Sequence, residues 1–387
     1  MAVSVLLFSS ISVEAEDSRE IKLVFMGDVV FDGEIGERIE TYGTEYPFEK
    51  MMPCINDADL TFANLETPVS DRGQEEVGKY CTFRSDPETI GCLEDAGIDA
   101  VSLANNHCLD YSYDALNDTM ECLDDAGIGH AGIWYDDPIE NATLQRPVVL
   151  EAGGITFGFL AYTENVRDHW MATSELPGPM PLDRGLMERD IDHARDLVDV
   201  LIVSIHWRKW PQYTEAPEES DIELCHDVID WGANMIMGHG PHTVHEVEGY
   251  NDGLIFYSLG NAAIDTADES SDHSYIAKVS VDGEGSISSL ELIPTYKETH
   301  RYVPMGTPMG RDASMGFNIS YEQVWDMYDK DIYDALDGEG GLEVMLLLRD
   351  SPWYFKGFLL VSAIIIVSGT SYIVHMLIRR RKDRGIS

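Results

Sequence analysis

Short apolar runs separated by amphipathic stretches fill the chain between residues 21 and 294. Such runs, bounded by Gly, Asp or Asn, predict buried strands, and the amphipathic stretches between them predict helices. Strands that alternate with helices are typical of an α/β domain, so we expect this class of fold. The apolar runs are IKLVFMG, ADLTFAN, IDAVSLA, ITFGFLAY, LVDVLIVSI, ANMIMG and LIFYSLG.

The pattern changes after residue 295. Residues 296–352 are rich first in Met, Gly and Pro and then in acidic and aromatic residues, which predicts an extension and a linker. Residues 357–378 contain no Asp, Glu, Lys or Arg. A helix of that length spans about 33 Å, enough for a hydrocarbon core of about 30 Å. Aromatic residues at 353–355 and a basic tail at 379–387 flank this run, which favours one transmembrane helix over a buried core helix.

A second apolar run opens the chain. It ends at Val13-Glu14-Ala15, which resembles the cleavage site of a secretory signal peptide, although no basic residue precedes the run. Residues 1–15 are therefore either a signal peptide or an apolar lead-in to the first strand. Together with the basic tail, which the positive-inside rule puts in the cytoplasm, these features predict a single-pass protein of the cell membrane whose bulk is extracellular.

The strongly negative charge of the chain excludes one class of binding partner, the nucleic acids. There are 70 Asp and Glu residues against 26 Lys and Arg residues, a formal net charge of −44. Such a chain repels the phosphates of nucleic acids, so we expect no nucleic-acid partner. The hydrophobic content of 44% still allows a sizeable core, and the acidity is spread along the chain as on a solvated surface.

Polar side chains follow the ends of five predicted strands. They are Asp28; Asn64 and Glu66; Asn105, Asn106 and His107; His206; and His239 and His242. Each alone has an ordinary structural explanation, such as a helix cap, a turn or a core histidine. In an open α/β sheet, however, the carboxyl ends of the strands meet at one crevice. Oxygen and imidazole donors without thiolates predict a site for one or two divalent ions, either Mn, Fe or Zn.

Six motifs, five of which contain these residues, carry a resemblance to a known family. In order, they are Gly27-Asp28, Asn64-Leu65-Glu66-Thr67-Pro68, Ala104-Asn105-Asn106-His107 with Asp110-Tyr111, His206-Trp207 with Tyr213, Gly238-His239-x-Pro241-His242, and Tyr257-Ser258-Leu259-Gly260-Asn261. Residues 21–295 thereby resemble the CapA family of poly-γ-glutamate capsule synthesis proteins, which is itself similar to calcineurin-like metallophosphoesterases. The resemblance implies a four-layer α/β/β/α sandwich with a metal centre at the strand ends.

The resemblance also implies residue roles. His107 would donate a proton to a leaving oxygen, and Asp110 would orient its ring. Asn64 and Asn105, beside the ligands, are candidate substrate contacts. The implied metal ligands are Asp28, Glu66, Asn106, His206, His239 and His242.

The chain departs from the family pattern at three places. Val29 and Val30 follow Asp28 where the metallophosphoesterases have Asp-x-His, so one imidazole is missing. Gly240 replaces a second histidine. Arg208 and Lys209 follow His206-Trp207 where the family commonly has a glycine and an acid nearby. With Arg84, these two cations either bind a polyanionic substrate or are ordinary surface residues.

Three functions are compatible with these features. The first is a metal-dependent hydrolase in the assembly or release of poly-γ-glutamate or a related anionic surface polymer, together with a polymer synthase complex. The second is a phosphoesterase that cleaves an external phosphate ester. The third is a polymer-handling subunit without catalytic activity.

Overall fold

The structure is a computed structural model that describes residues 19–134, 145–164, 167–170, 172–173, 176–207, 216–265 and 269–328. Two large sheets and seven α-helices lie in these ranges, besides a two-stranded sheet and three 3-10 helices. The helices are α1 (Glu34–Tyr42), α2 (Met52–Ile55), α3 (Ile90–Asp95), α4 (Ser112–Ala126), α5 (Arg184–Ala194), α6 (Glu219–Trp231) and α7 (Tyr321–Trp325). A further strand pair is formed by β5 (Ile133–Trp134) and β8 (Gly178–Pro179).

The first sheet has nine strands in the order β16-β15-β14-β1-β2-β3-β4, with β13 beside β1 and β17 beside β15. Its strands β1, β2, β3, β4 and β13 run parallel, whereas β14 to β17 are antiparallel. The bounds are β1 (Ile21–Val29), β2 (Leu60–Leu65), β3 (Ala100–Ser102), β4 (Gly129–Ala131), β13 (Asn261–Ala263), β14 (His273–Val281), β15 (Ile287–Glu298), β16 (Arg301–Pro304) and β17 (Met309–Asp312).

The second sheet has six strands in the order β11-β12-β10-β9-β7-β6. The central strands β12, β10, β9 and β7 are parallel, and antiparallel strands close both edges. Its strands are β6 (Val148–Ala152), β7 (Ile155–Thr163), β9 (Val200–His206), β10 (Met235–His239), β11 (Val247–Tyr250) and β12 (Gly253–Phe256).

The two sheets pack face to face through aromatic side chains. Phe25 of β1 meets Phe256 of β12 with ring centroids 5.8 Å apart, and Phe62 of β2 meets Phe159 of β7 at 5.3 Å. Each of these fully buried rings contributes about 1.5–3 kcal/mol of hydrophobic free energy. Helices α1, α3 and α4 cover the outer face of the first sheet, and α5 and α6 cover that of the second. The predicted mixed α/β class is confirmed, with layers in the order helix, sheet, sheet, helix.

The chain after residue 295 differs from its prediction. That boundary falls inside β15, and β16 and β17 both pair with β15, so the compact unit continues to Met327. Tyr302 of β16 is buried and donates a hydrogen bond to the Ser271 carbonyl. The described ranges contain no helix that is both long and apolar enough to cross a membrane. Residues 1–15, the predicted span at 357–378 and the tail at 379–387 lie outside those ranges.

Candidate metal centre

Strand register brings the predicted ligands together. In the first sheet, Asp28 at the end of β1 pairs with Asn64 of β2 on one side and with Asn261 of β13 on the other. In the second sheet, His206 and His239 are register partners at the ends of β9 and β10. β1 and β2 run parallel, as do β9 and β10, so the carboxyl ends of each pair share an edge, and Asn261 at the start of β13 lies beside the first pair. The two sheets meet at this edge, where the Gly240 amide donates to Asp28 Oδ2 at 3.4 Å.

Two buried carboxylates lie among three imidazoles at this edge. Asp28 Oδ1 lies 3.1 Å from His239 Nδ1, and Asp28 Oδ2 lies 3.0 Å from His242 Nδ1. Glu66 Oε1 lies 3.1 Å from His206 Nε2, and Glu66 Oε2 lies 3.9 Å from His242 Nδ1. Asp28, Glu66 and His242 each present one ligand atom within 4.8 Å of the others. Asp28, Glu66 and His242 can therefore share one cation, with His206 beside Glu66 and His239 beside Asp28.

Several donor atoms here have no hydrogen-bond partner among the described residues. They are His239 Nε2, His206 Nδ1, Glu66 Oε2 and Asn106 Oδ1, while His239 Nδ1 has only its contact with Asp28 Oδ1. A buried polar atom without a partner costs about 1–3 kcal/mol, and most such atoms in folded proteins are satisfied. Coordination of an ion would satisfy donors of this kind, and the imidazole and carboxylate set suits Mn, Fe or Zn. The residues present therefore fit a divalent metal.

The pKa values of the cluster also favour a bound cation. Burial acts to raise the pKa of Asp28, but the neighbouring His239 and His242 imidazoles hold it well below its ordinary value. Burial and the charge of Asp28 act likewise on Glu66, yet His242 and His206 keep its pKa lowered. Burial opposes protonation of His242, but Glu66 and Asp28 raise its pKa to about 9. Two buried carboxylates thus require positive charge, which a proton on His242 or a metal ion can supply.

The two predicted asparagines orient their neighbours. Asn64 Nδ2 donates to Asp28 Oδ1 at 2.8 Å. Asn105 Nδ2 donates to Asn64 Oδ1 at 3.1 Å and to the Leu65 carbonyl at 2.8 Å, and its Oδ1 accepts the His107 amide at 3.0 Å. Both side chains are fully buried, and these protein partners occupy their amide groups. The observed contacts are therefore those of groups that hold a ligand and a catalytic candidate in place.

His107 and Asp110 form the predicted pair. His107 Nδ1 lies 2.5 Å from Asp110 Oδ2, and the opposite ring atom, Nε2, lies 3.9 Å from Glu66 Oε1. The imidazole thus lies between its orienting carboxylate and the metal-ligand cluster. Burial lowers the pKa of His107, although Asp110 acts to raise it. A proton placed on Nε2 of such a ring is bound weakly and is passed on readily.

Two residues at the site were missed by sequence reasoning. Asn261 Oδ1 lies 3.0 Å from His242 Nδ1, and Asn261 directly follows the apolar run LIFYSLG, which is the same kind of position that identified the candidate ligands. Lys79 contacts His107, Asp110 and the Asn106 backbone. It comes from a polar loop and has no local signal, so only the tertiary structure reveals it.

The departures from the family pattern have structural counterparts. Val30 is buried, and its amide donates to the Ala263 carbonyl. Gly240 has φ +100°, and a Cβ there would lie 2.6 Å from the Trp207 carbonyl oxygen, so a side chain does not fit. The Arg84 guanidinium lies 4.3 Å from the centre of the Tyr111 ring and donates to the Arg72 carbonyl at 3.3 Å. Arg208 and Lys209 lie outside the described residues.

These observations define the class of the molecule: an α/β protein with a buried cluster of carboxylates and imidazoles, of the composition that suits a divalent metal, beside a histidine–aspartate pair. The family described as Bacterial capsule synthesis protein PGA_cap matches residues 22–266. The chain belongs to this family, which confirms the resemblance seen in the motifs.

Individual relatives have names that agree with the description of the family. The "Capsule biosynthesis protein CapA" of Bacillus anthracis is 24% identical over 320 residues, which cover 81% of this chain and 74% of the relative. The "PGA biosynthesis protein CapA" of Bacillus subtilis (strain 168) is 27% identical over 247 residues, 62% of each chain. Among solved structures, a phosphatase from Mycoplasma pneumoniae aligns with a TM-score of 0.48 at 14% identity, over 73% of this chain and 95% of that one.

Proposed function

We propose that this protein is a metal-dependent hydrolase that acts in the synthesis or release of poly-γ-glutamate at the cell surface. The observation that carries the hydrolase assignment is the set of unpartnered, buried donor atoms next to the His107–Asp110 pair. The polymer comes from the names of the relatives, which describe capsule and PGA biosynthesis. Together they favour a capsule protein with its own bond-breaking site.

Asp28, Glu66, His206, His239 and His242 would hold at least one ion, with Asn106 as a further ligand. When bound, a divalent metal lowers the pKa of a coordinated water and polarises the oxygen of a carbonyl or phosphoryl group. The donor set does not distinguish Mn, Fe and Zn.

The protein's own residues supply orientation and proton transfer. Asp110 accepts a hydrogen bond from His107 Nδ1 and so fixes the ring with Nε2 on the side of Glu66. After the ring has taken up a second proton from solvent on Nε2, it delivers that proton to the atom that leaves when the bond breaks and returns to the neutral form with its proton on Nδ1. Asn64 and Asn105 hold Asp28 and the His107 backbone in register, which keeps the ligands and the proton donor in a fixed relation.

We also propose that residues 357–378 anchor the protein in the cell membrane, with the catalytic unit outside the cell and the basic tail in the cytoplasm. Support comes from the uncharged run, its aromatic and basic flanks and the apolar start of the chain. A location outside the membrane would put the site where a surface polymer is assembled. It would also allow contact with a polymer synthase complex through the membrane or the extracellular face.

The test combines metal content with turnover. The full chain in detergent is analysed for bound Mn, Fe and Zn and assayed on poly-γ-glutamate and on a chromogenic phosphodiester. We expect bound metal and metal-dependent cleavage of the polymer. The variant His239→Ala should lose most of the metal and at least about 100-fold in turnover, because it removes a ligand. His226→Ala is the matched control, because His226 stacks on Tyr250 and pairs with Glu248 on another surface.

Each other result has a distinct meaning. Turnover of the phosphodiester alone would make the protein a phosphoesterase and would overturn the polymer assignment. A protein without metal or turnover, but with affinity for the polymer, would be a polymer-handling subunit and would overturn the hydrolase assignment. Full metal content in His239→Ala would contradict the ligand set.

A further inference from the structure

A lysine from an irregular loop reaches the His107–Asp110 pair. Lys79 lies between β2 and α3, and only 12% of its side chain is exposed. Buried lysines are rare unless their ammonium groups are paired. The ammonium of Lys79 contacts Asp110 Oδ1 and the Asn106 backbone carbonyl, and it lies 2.9 Å from His107 Nδ1. Its two hydrogen-bond acceptors, Asp110 Oδ1 and the Asn106 carbonyl, therefore both belong to the group of residues around the candidate proton donor, whereas a protonated His107 Nδ1 cannot accept from the ammonium.

The hydrogen bonds of Asp110 show what the ammonium does there. Asp110 is fully buried, and its Oδ2 accepts from His107 Nδ1 at 2.5 Å and from the Phe83 amide at 2.7 Å. Oδ1 accepts from Lys79. A carboxylate only accepts, so the short contact with His107 requires the ring proton to be on Nδ1. Without Lys79, Oδ1 would lose a charge-assisted hydrogen bond and the carboxylate would be held on one side only.

The loop that carries Lys79 holds the pair from other directions too. The Phe83 ring lies against the His107 ring with centroids 4.4 Å apart, and the Glu76 amide donates to the Asp110 backbone carbonyl at 2.7 Å. The Lys79 ammonium also lies 5.7 Å from the centre of the Trp170 ring, within the range of a cation–π contact. The loop is thus fixed at both ends against the residues that orient His107.

We propose that Lys79 is a positioning residue: through Asp110 Oδ1 and the Asn106 carbonyl it fixes the direction of the His107 ring and the tautomer with the proton on Nδ1. The proposal rests on the proposed function in so far as His107 Nε2 transfers a proton during hydrolysis. Lys79 acts through Asp110, so its removal should affect the proton-transfer step more than metal binding or substrate affinity.

The test measures the protonation of the two His107 ring nitrogens by NMR. The full chain is labelled with ¹⁵N-histidine, its metal-free form is studied by NMR, and the ring signals of His107 are assigned with His107→Gln. We expect the wild type to show one tautomer with the proton on Nδ1. Lys79→Met should give mixed tautomers or an exchange-broadened signal, and Lys79→Arg should restore part of the wild-type signal. On poly-γ-glutamate, kcat should fall about 10- to 100-fold in Lys79→Met with KM and metal content nearly unchanged.

Lys50→Met is the matched control. Lys50 is an exposed lysine that lies 3.5 Å from Glu49, and its replacement should leave the His107 signal and kcat as in the wild type. A neutral wild-type His107 with its single ring proton on Nε2 would overturn the proposal, as would an unchanged ring signal and kcat in Lys79→Met. If Lys79→Met does not fold, the same comparison is made with Lys79→Gln, which keeps hydrogen-bond donors without the charge. A wild type without turnover would refute the proposed function, whereas the ring signals still decide the role of Lys79.

Discussion

At the scale of single residues, His242 links metal binding to pH. Its Nδ1 lies 3.0 Å from Asp28 Oδ2, and the two buried carboxylates raise its pKa to about 9 in the metal-free protein. Because a ligand nitrogen must lose its proton to bind a metal, protons compete with the ion at neutral pH. We expect the affinity for Mn²⁺ to rise about tenfold per pH unit between about pH 7 and pH 9 and then to level off.

Calorimetric titration in buffers of different ionisation enthalpy measures this competition. At neutral pH about one proton should be released per ion bound. His242→Asn should bind more weakly, and its affinity should depend less steeply on pH over the same range. His226→Ala should retain the wild-type slope, since its imidazole lies outside the cluster. An affinity for Mn²⁺ that is flat from pH 7 to pH 9 in the wild type would contradict His242 as a ligand that carries a proton before binding.

At the scale of secondary-structure elements, one buried carboxyl joins α5 to the second sheet. Asp190 of α5 accepts from Tyr162 Oη of β7 at 3.0 Å and from the Gln145 amide at 3.1 Å. The Gln145 side chain in turn bonds to Gly132, next to β4, and to Ala161 of β7. Burial raises the pKa of Asp190 to about 7. The folded state therefore holds a proton that the unfolded chain releases at its ordinary pKa of about 3.9.

The sign of the resulting pH dependence follows from this difference. Between about pH 4 and pH 7 the folded state binds more protons than the unfolded state, so Asp190 makes the protein less stable as pH rises. The loss is on the order of 3–4 kcal/mol. Asp190→Asn keeps an acceptor for the Gln145 amide and cannot ionise. The free energy of unfolding of this variant should therefore not fall between about pH 4 and pH 7, and it should increase relative to that of the wild type. Urea unfolding at a series of pH values tests this, with the exposed Asp192→Asn on the same helix as control.

The elements also show what the sequence can predict. Strands β1, β2, β9 and β10 are buried along nearly their whole length, so the sequence of each is mostly apolar. Strands β16 and β17 are partly exposed edge strands without such a run, and their segment was predicted as an extension and linker. The strand-end donors were predicted because parallel strands end at one edge. Lys79 was not, because its contacts depend on how a loop folds back over α4 and its preceding turn.

At the scale of the whole molecule, the excess of acidic charge sets the conditions for stability. The net charge of −44 gives the compact state a self-repulsion that the unfolded chain relieves by expanding. Several basic residues already form ion pairs with acids, as Lys22 and Lys278 do with Asp57 at 2.6 Å each. With only 26 basic residues in the chain, the remaining acidic charge must be screened by dissolved cations.

This repulsion predicts a protein that is stabilised by salt. The screening length falls from about 10 Å at 0.1 M salt to about 3 Å at 1 M, so repulsion between neighbouring carboxylates should be largely removed over this range. We expect the thermal midpoint of the metal-loaded full chain to rise by on the order of 10 °C between about 0.1 M and 1 M KCl, with most of the gain below 1 M. Sucrose at equal osmolality is the control, since it is excluded from surfaces but screens no charge. A midpoint that responds equally to both solutes would assign the effect to solvent exclusion. A midpoint that falls with KCl would contradict the prediction. It would mean that salt weakens the stabilising ion pairs by more than it relieves the repulsion among unpaired acids.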